Sequence, residues 1–131
     1  MSANSIFILL SIALGGSVGA VSRFLLSNFI QRISTLSFPI GTLSVNVIGS
    51  FIIGFLFLYF QHISLSSHQK VFWITGFLGA LTTFSTFSIE TIVLLEHGLI
   101  KKAMLSIFLN VTLSLMATLL GILLFKKIFN H

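Results

Sequence analysis

A chain of 131 residues with 56% hydrophobic and 7% charged positions cannot form a conventional soluble surface, which needs about a quarter or more of its positions charged. The net charge of +5 is scattered singly or in pairs at the ends of apolar runs, with no basic stripe interleaved with aromatics. That pattern anchors a chain at lipid headgroups and argues against nucleic acid as a partner. The absence of cysteine excludes disulfide scaffolds, thiolate metal sites and cysteine nucleophiles.

The N-terminal stretch MSANSIFILLSIALGG has no basic leader, and its apolar run outlasts a signal-peptide core, so it is expected to persist as a first span. A crossing helix needs roughly 20 mostly apolar residues. Four stretches qualify: about 6–30, 41–60, 71–95 and 103–125. The connections are short and leave no room for an extramembrane domain, so residues 1–131 are read as one four-helix, all-α membrane domain. Four spans put both termini on one side. Lys70, Lys126 and Lys127 then face Arg32, Lys101 and Lys102 across the bilayer, three against three, with Arg23 apart inside span one. The positive-inside rule assigns almost no orientation to such a chain. Either a subtler signal sets topology, or the chain inserts both ways and pairs with its inverted twin.

Span one contains GSVGAVSRF (16–24) and span three GFLGALTTF (76–84); span two contains NVIGS (46–50) and span four NVTLS (110–114). The echo fits an old two-helix duplication, or simply the small-residue bias of packed membrane helices. Gly15, Gly16 and Gly19, Gly49 and Gly54, and Gly76 and Gly79 are spaced for close helix packing, and four helices enclose a pathway more readily as a dimer.

The stretch TTFSTFS (82–88) puts five hydroxyls and two phenylalanines in the middle of span three. One serine or threonine in a membrane helix can return its hydroxyl to the preceding turn; five in seven positions, two of them adjacent β-branched threonines, suggest an irregular or broken helix. Unpaired backbone at that depth is tolerated only where protein buries it or a polar cavity meets it. An unbroken helix with its hydroxyls toward a neighbour is the alternative. Phe84 and Phe87 are three apart on one helical face, among Ser85, Thr86 and Ser88. Ring edges carry partial positive charge and could meet a small anion without trapping it.

Asn46 in span two and Asn110 in span four need partners, ordinarily across helices. Ser114 and Thr118, four apart, either bond back to their own helix or mark a polar track. Arg23 and Glu90 are the only ionisable residues well inside spans, which makes each a candidate for function, for pairing or for anchoring. The four histidines lie in loops or the tail without metal-ligand spacing, and no acid–base pair or phosphate loop is present, so an enzyme is not expected.

The segments GGSVGAVSRF (15–24), GTLSVNVIGSFIIG (41–54) and GFLGALTTFSTFSIE (76–90), in this order and spacing, resemble the Fluc/CrcB fluoride channels along nearly the whole chain. The resemblance implies an antiparallel, dual-topology homodimer in the plasma membrane (the inner membrane of a bacterium), with two fluoride pathways and a broken third span. It implies that Phe84 and Phe87 turn ring edges to fluoride, that Asn46 lines the pore, that Ser85 and Thr86 belong to the same polar stretch, and that Ser114 and Thr118 form the fourth-span track. Arg23 matches a vestibule arginine and Glu90 the acid after the break. The carbonyls of Gly79 and Thr82 match a central, structural sodium site at the dimer interface. Ala80 stands where many members carry a second glycine, and the fourth span matches only through its hydroxyls.

The implied activity is passive fluoride export from the cytoplasm, protecting against fluoride toxicity. A narrow path must replace fluoride's water with hydroxyl, amide and ring-edge donors, yet release the ion. A proton-coupled small multidrug exporter also has four short spans, but needs an embedded carboxylate, and span one has no acid. A non-transporting scaffold subunit would explain the glycines but not the hydroxyl–phenylalanine cluster.

Overall fold

The computed structural model describes residues 1–129; His131, one of the tail positions considered above, lies outside the described residues. The chain is all-helical over that range, and four apolar helical stretches are long enough to cross a bilayer. Helix α1 (Ala3–Ile33) starts at Ser2, whose hydroxyl accepts from the Ser5 N–H at 3.3 Å. Helix α2 (Ile40–His62) follows Pro39, which has no side chain able to cap it. Gln31 at the end of α1 takes over: its Oε1 accepts from Gly41 N at 3.1 Å while its Nε2 donates to Phe38 O at 3.0 Å. Even α2, 23 residues at about 1.5 Å each, outreaches a hydrocarbon core of roughly 30 Å.

The third crossing is assembled from pieces. A reciprocal capping box between Ser66 and Gln69 opens α3 (Ser67–Val71). The backbone then widens into a π-helical segment, Phe72–Leu78, before one turn of α4 (Gly79–Leu81). Thr82 and Thr83 are extended, and α5 (Phe84–Glu96) resumes the crossing. The expected irregularity in span three is therefore present, within a crossing that remains continuous in course from Ser67 to Glu96. Gly98, at φ 73°, closes the turn into α6 (Ile100–Phe129), a left-handed position where glycine carries no Cβ penalty.

The two most extensive pairings are α2 with α6 and α1 with the π-helical segment. Both depend on backbone-to-backbone approach. A Cβ on Gly54 or Gly121 would collide with the Thr118 or Phe51 carbonyl, and one on Gly15 or Gly19 with the Phe72 or Phe77 carbonyl. Gly76 is likewise a packing residue: a Cβ there would lie 2.7 Å from Ile12 O. The interior is thin, with Val45, Leu78 and Ser106 as its largest fully buried side chains. Phe7, Leu14, Phe24, Phe29, Phe108, Leu115 and Leu119 point outward instead. An apolar exterior around a small polar-containing interior is the arrangement lipid requires, and the chain is a multi-pass membrane protein.

Candidate functional site

The break in the third crossing organises the site. Thr82 N still donates to Leu78 O at 3.1 Å, and the Thr82 hydroxyl backs onto the same carbonyl at 2.9 Å. One residue later the helical ladder fails. Thr83 N–H turns to Asn46 Oδ1 on α2, at 2.7 Å, instead of to Gly79 O. Thr83 O receives Asn46 Nδ2 at 3.1 Å, so a single carboxamide satisfies both backbone groups of the extended residue. The Thr83 hydroxyl then caps α5, accepting from Thr86 N at 3.1 Å and donating to Thr86 Oγ1 at 3.0 Å. Because these amides are diverted, the carbonyls of Gly79 and Thr82 lose their i+4 helical donors.

Two cavities meet at Thr83. An open groove of about 400 Å³ is lined by Asn46, Ser50, Gly79, Thr82, Phe84, Phe87, Asn110 and Ser114, among others. A second cavity of about 300 Å³ is lined by Arg23, Thr42, Thr86 and Glu90. Thr83 lines both.

Phe84 and Phe87 stand edge to face, ring centroids 5.3 Å apart and planes at 67°. Phe87 is buried, whereas Phe84 is 76% exposed and forms part of the open wall. The Ser114 Oγ is buried without a hydrogen-bond partner, whereas Ser11, Ser17, Ser27, Ser44 and Thr91 bond back to their own helices. Thr118 does not line the groove; its hydroxyl lies 3.0 Å from Ser114 O and 3.1 Å from Ser50 O, tying α6 to α2. Ser85 is exposed beside the cap, its Oγ 3.3 Å from Thr83 Oγ1, and Thr86 faces the second cavity.

Arg23 and Glu90 share that second cavity through hydroxyl partners. Arg23 Nη1 donates to Thr86 Oγ1 at 3.4 Å, and its Nε is buried without a partner. Glu90 Oε1 accepts from Thr42 Oγ1 at 2.7 Å. The cavity thus holds a guanidinium with donor capacity unused, next to hydroxyls that can reorient. Together the two cavities can replace much of a small anion's hydration, with Arg23 drawing it in and Ser114 offering a free hydroxyl.

Sequence reasoning underrated Thr83, Thr42 and Asn110. The paired threonines of TTFSTFS marked Thr83 as unsuited to a helix interior, but nothing local identified which one would leave the helix. Thr42 is an ordinary hydroxyl in the first turn of α2, and its carboxylate partner is 48 positions away.

The family described as CrcB-like protein, Camphor Resistance (CrcB), matches residues 10–122. A protein of Sulfurovum sp. named fluoride-specific ion channel FluC is 55% identical over 94% of this chain and 97% of its own length. Proteins with the same name from Nitratiruptor sp. and Campylobacter jejuni are 51% and 50% identical, covering 93% and 90% of this chain and 94% and 97% of theirs. With the family match spanning most of the chain and relatives at half identity along nearly their full length, this chain belongs to the Fluc/CrcB family.

Proposed function

We propose that this chain is a passive, fluoride-selective ion channel that lets fluoride leave the cytoplasm and so limits its toxicity. The observation that carries the substrate is the near-full-length similarity to proteins named fluoride-specific ion channels. The site chemistry supports it. The proposed pathway runs past Arg23 and Glu90, along the polar stretch of Ser85 and Thr86, by Asn46 and the edges of Phe84 and Phe87, and beside Ser114 and Thr118. Donors there are neutral except for Arg23, so an anion is drawn in without meeting a deep electrostatic trap. No ring of carboxylates is available to draw in cations.

In this reading two copies of the chain pair antiparallel in the plasma membrane, each closing the other's open groove, and each copy is inserted in the opposite sense. The even division of lysines and arginines supports such dual insertion. A sodium ion at the meeting of the two copies would be held by the carbonyls of Gly79 and Thr82. These carbonyls fit the role: both lose their helical donors at the break, and both residues line the open groove. A hard cation takes such carbonyl oxygens, and it would supply fixed positive charge at mid-depth.

The test is fluoride efflux from liposomes containing the purified protein, read with a fluoride electrode and repeated with chloride. Rapid fluoride release with negligible chloride release is the expected result. A folded protein that releases no fluoride sinks the reading. Tags on the C-terminus should be accessible from both faces of the membrane in equal share; accessibility from one face alone would remove dual topology.

A further inference from the structure

The hydrogen-bond inventory of Asn46 separates it from the other groove residues. Its Oδ1 accepts from Thr83 N at 2.7 Å, while its Nδ2 lies 3.1 Å from Thr83 O and 3.0 Å from Asn110 Oδ1. A carboxamide nitrogen has two protons, and both have protein acceptors here. The orientation is not open to choice. An N–H must meet an oxygen and a carbonyl must meet an NH₂, so Thr83 selects which way Asn46 faces and Asn110 Oδ1, taking the second proton, holds it there. The same logic passes down the chain of contacts. Asn110 must turn its oxygen to Asn46, which directs its own Nδ2 to Ser106 O at 2.9 Å on the preceding turn of α6. Asn110 and Ser106 are both buried, so little water competes for these bonds.

We infer that Asn46, oriented by Thr83 and Asn110 together, is a positioning residue that holds Thr83 extended at the junction of the two cavities. The inference rests on the channel reading for its link to permeation, but the clamp itself is independent of what passes. Asn110 sets the orientation from α6, Asn46 transmits it from α2, and Thr83 presents the result in the third crossing. If Asn110 is removed, one Asn46 proton loses its acceptor and the carboxamide is free to rotate away from Thr83. The extended residue then loses the acceptor that holds its N–H, and its carbonyl, which also opens the α5 helical ladder as N-cap, loses its second donor.

The experiment is amide hydrogen exchange at Thr83, followed by NMR on threonine-labelled protein in fluoride-free nanodiscs, alongside liposome fluoride flux. Wild type should protect the Thr83 amide without fluoride present. Asn110→Leu should speed its exchange at least about tenfold, the scale of one lost buried hydrogen bond, and lower flux by a similar factor while assembly stays unchanged. Asn110→Ser, whose side chain is too short to reach Asn46, should do the same and decides the matter if the leucine variant fails to fold. Unchanged Thr83 protection in the folded variants overturns the inference, whatever the flux. Lost protection with full flux overturns the link to permeation. If Asn110 instead contacts the anion directly, flux falls while Thr83 stays protected, which also overturns it. Wild type that carries no fluoride yet shows the predicted exchange pattern would defeat the channel reading and leave the clamp standing.

Discussion

The α2–α6 pair and the pair formed by α1 with the third crossing are built on one device and put to different uses. In both, glycines let backbones touch: Gly54 and Gly121 against the Thr118 and Phe51 carbonyls, Gly15 and Gly19 against those of Phe72 and Phe77. The α2–α6 seam joins two uninterrupted helices. The α1 seam meets a π-helical segment that leads into the break. Small residues therefore do not cause irregularity; they permit contact whether the partner is straight or not. What distinguishes the broken half is Thr82–Thr83, where neighbouring hydroxyls and one asparagine replace the helical ladder. The straight pair supplies that asparagine, so the regular half of the molecule holds the irregular half in shape.

The comparison can be broken most severely at the glycines. Gly54→Val and Gly19→Val should each cost more than the about 1–3 kcal/mol of ordinary overpacking, since the obstacle is a backbone carbonyl that cannot turn aside. Loss of monodisperse protein on gel filtration is the expected outcome for both, and a well-behaved Gly19→Val alone would show that the α1 seam is looser than the α2–α6 seam. Next in size is Asn46→Ala, which strands the buried Thr83 N–H at a cost of about 1–3 kcal/mol and removes the second donor of its carbonyl. Thermal unfolding in detergent should show a clear loss, and fluoride flux should vanish. Phe84→Ile and Phe87→Ile sharpen the contrast within the site. The buried Phe87 should lose about 1 kcal/mol of stability and the exposed Phe84 almost none, while both abolish flux. Retained flux in both would remove the ring-edge role. Smallest in stability is Ser114→Ala. No intramolecular hydrogen bond is lost, so unfolding should shift by under about 0.5 kcal/mol. Flux should nevertheless fall about tenfold, equivalent to roughly 1.4 kcal/mol at the barrier.

Composition and run length by themselves determined that the chain is helical and crosses a membrane four times, because lipid demands long apolar stretches with internally satisfied backbone and permits few alternatives. The hydroxyl-rich TTFSTFS was enough to predict irregularity in the third crossing, since adjacent threonines are poor helix formers and five hydroxyls have no use on a lipid face. Tertiary structure alone decided the rest. Which threonine leaves the helix depends on Asn46, 37 positions away, and the orientation of Asn46 depends on Asn110, another 64 positions off. That Thr118 is tied to Ser50 while Ser114 stays unbonded is likewise a matter of how α6 rotates against α2; the two hydroxyls look equivalent along the chain. Hydrogen bonds between distant side chains and backbone are set by the packing of whole helices, and that packing leaves no mark in the local residue pattern.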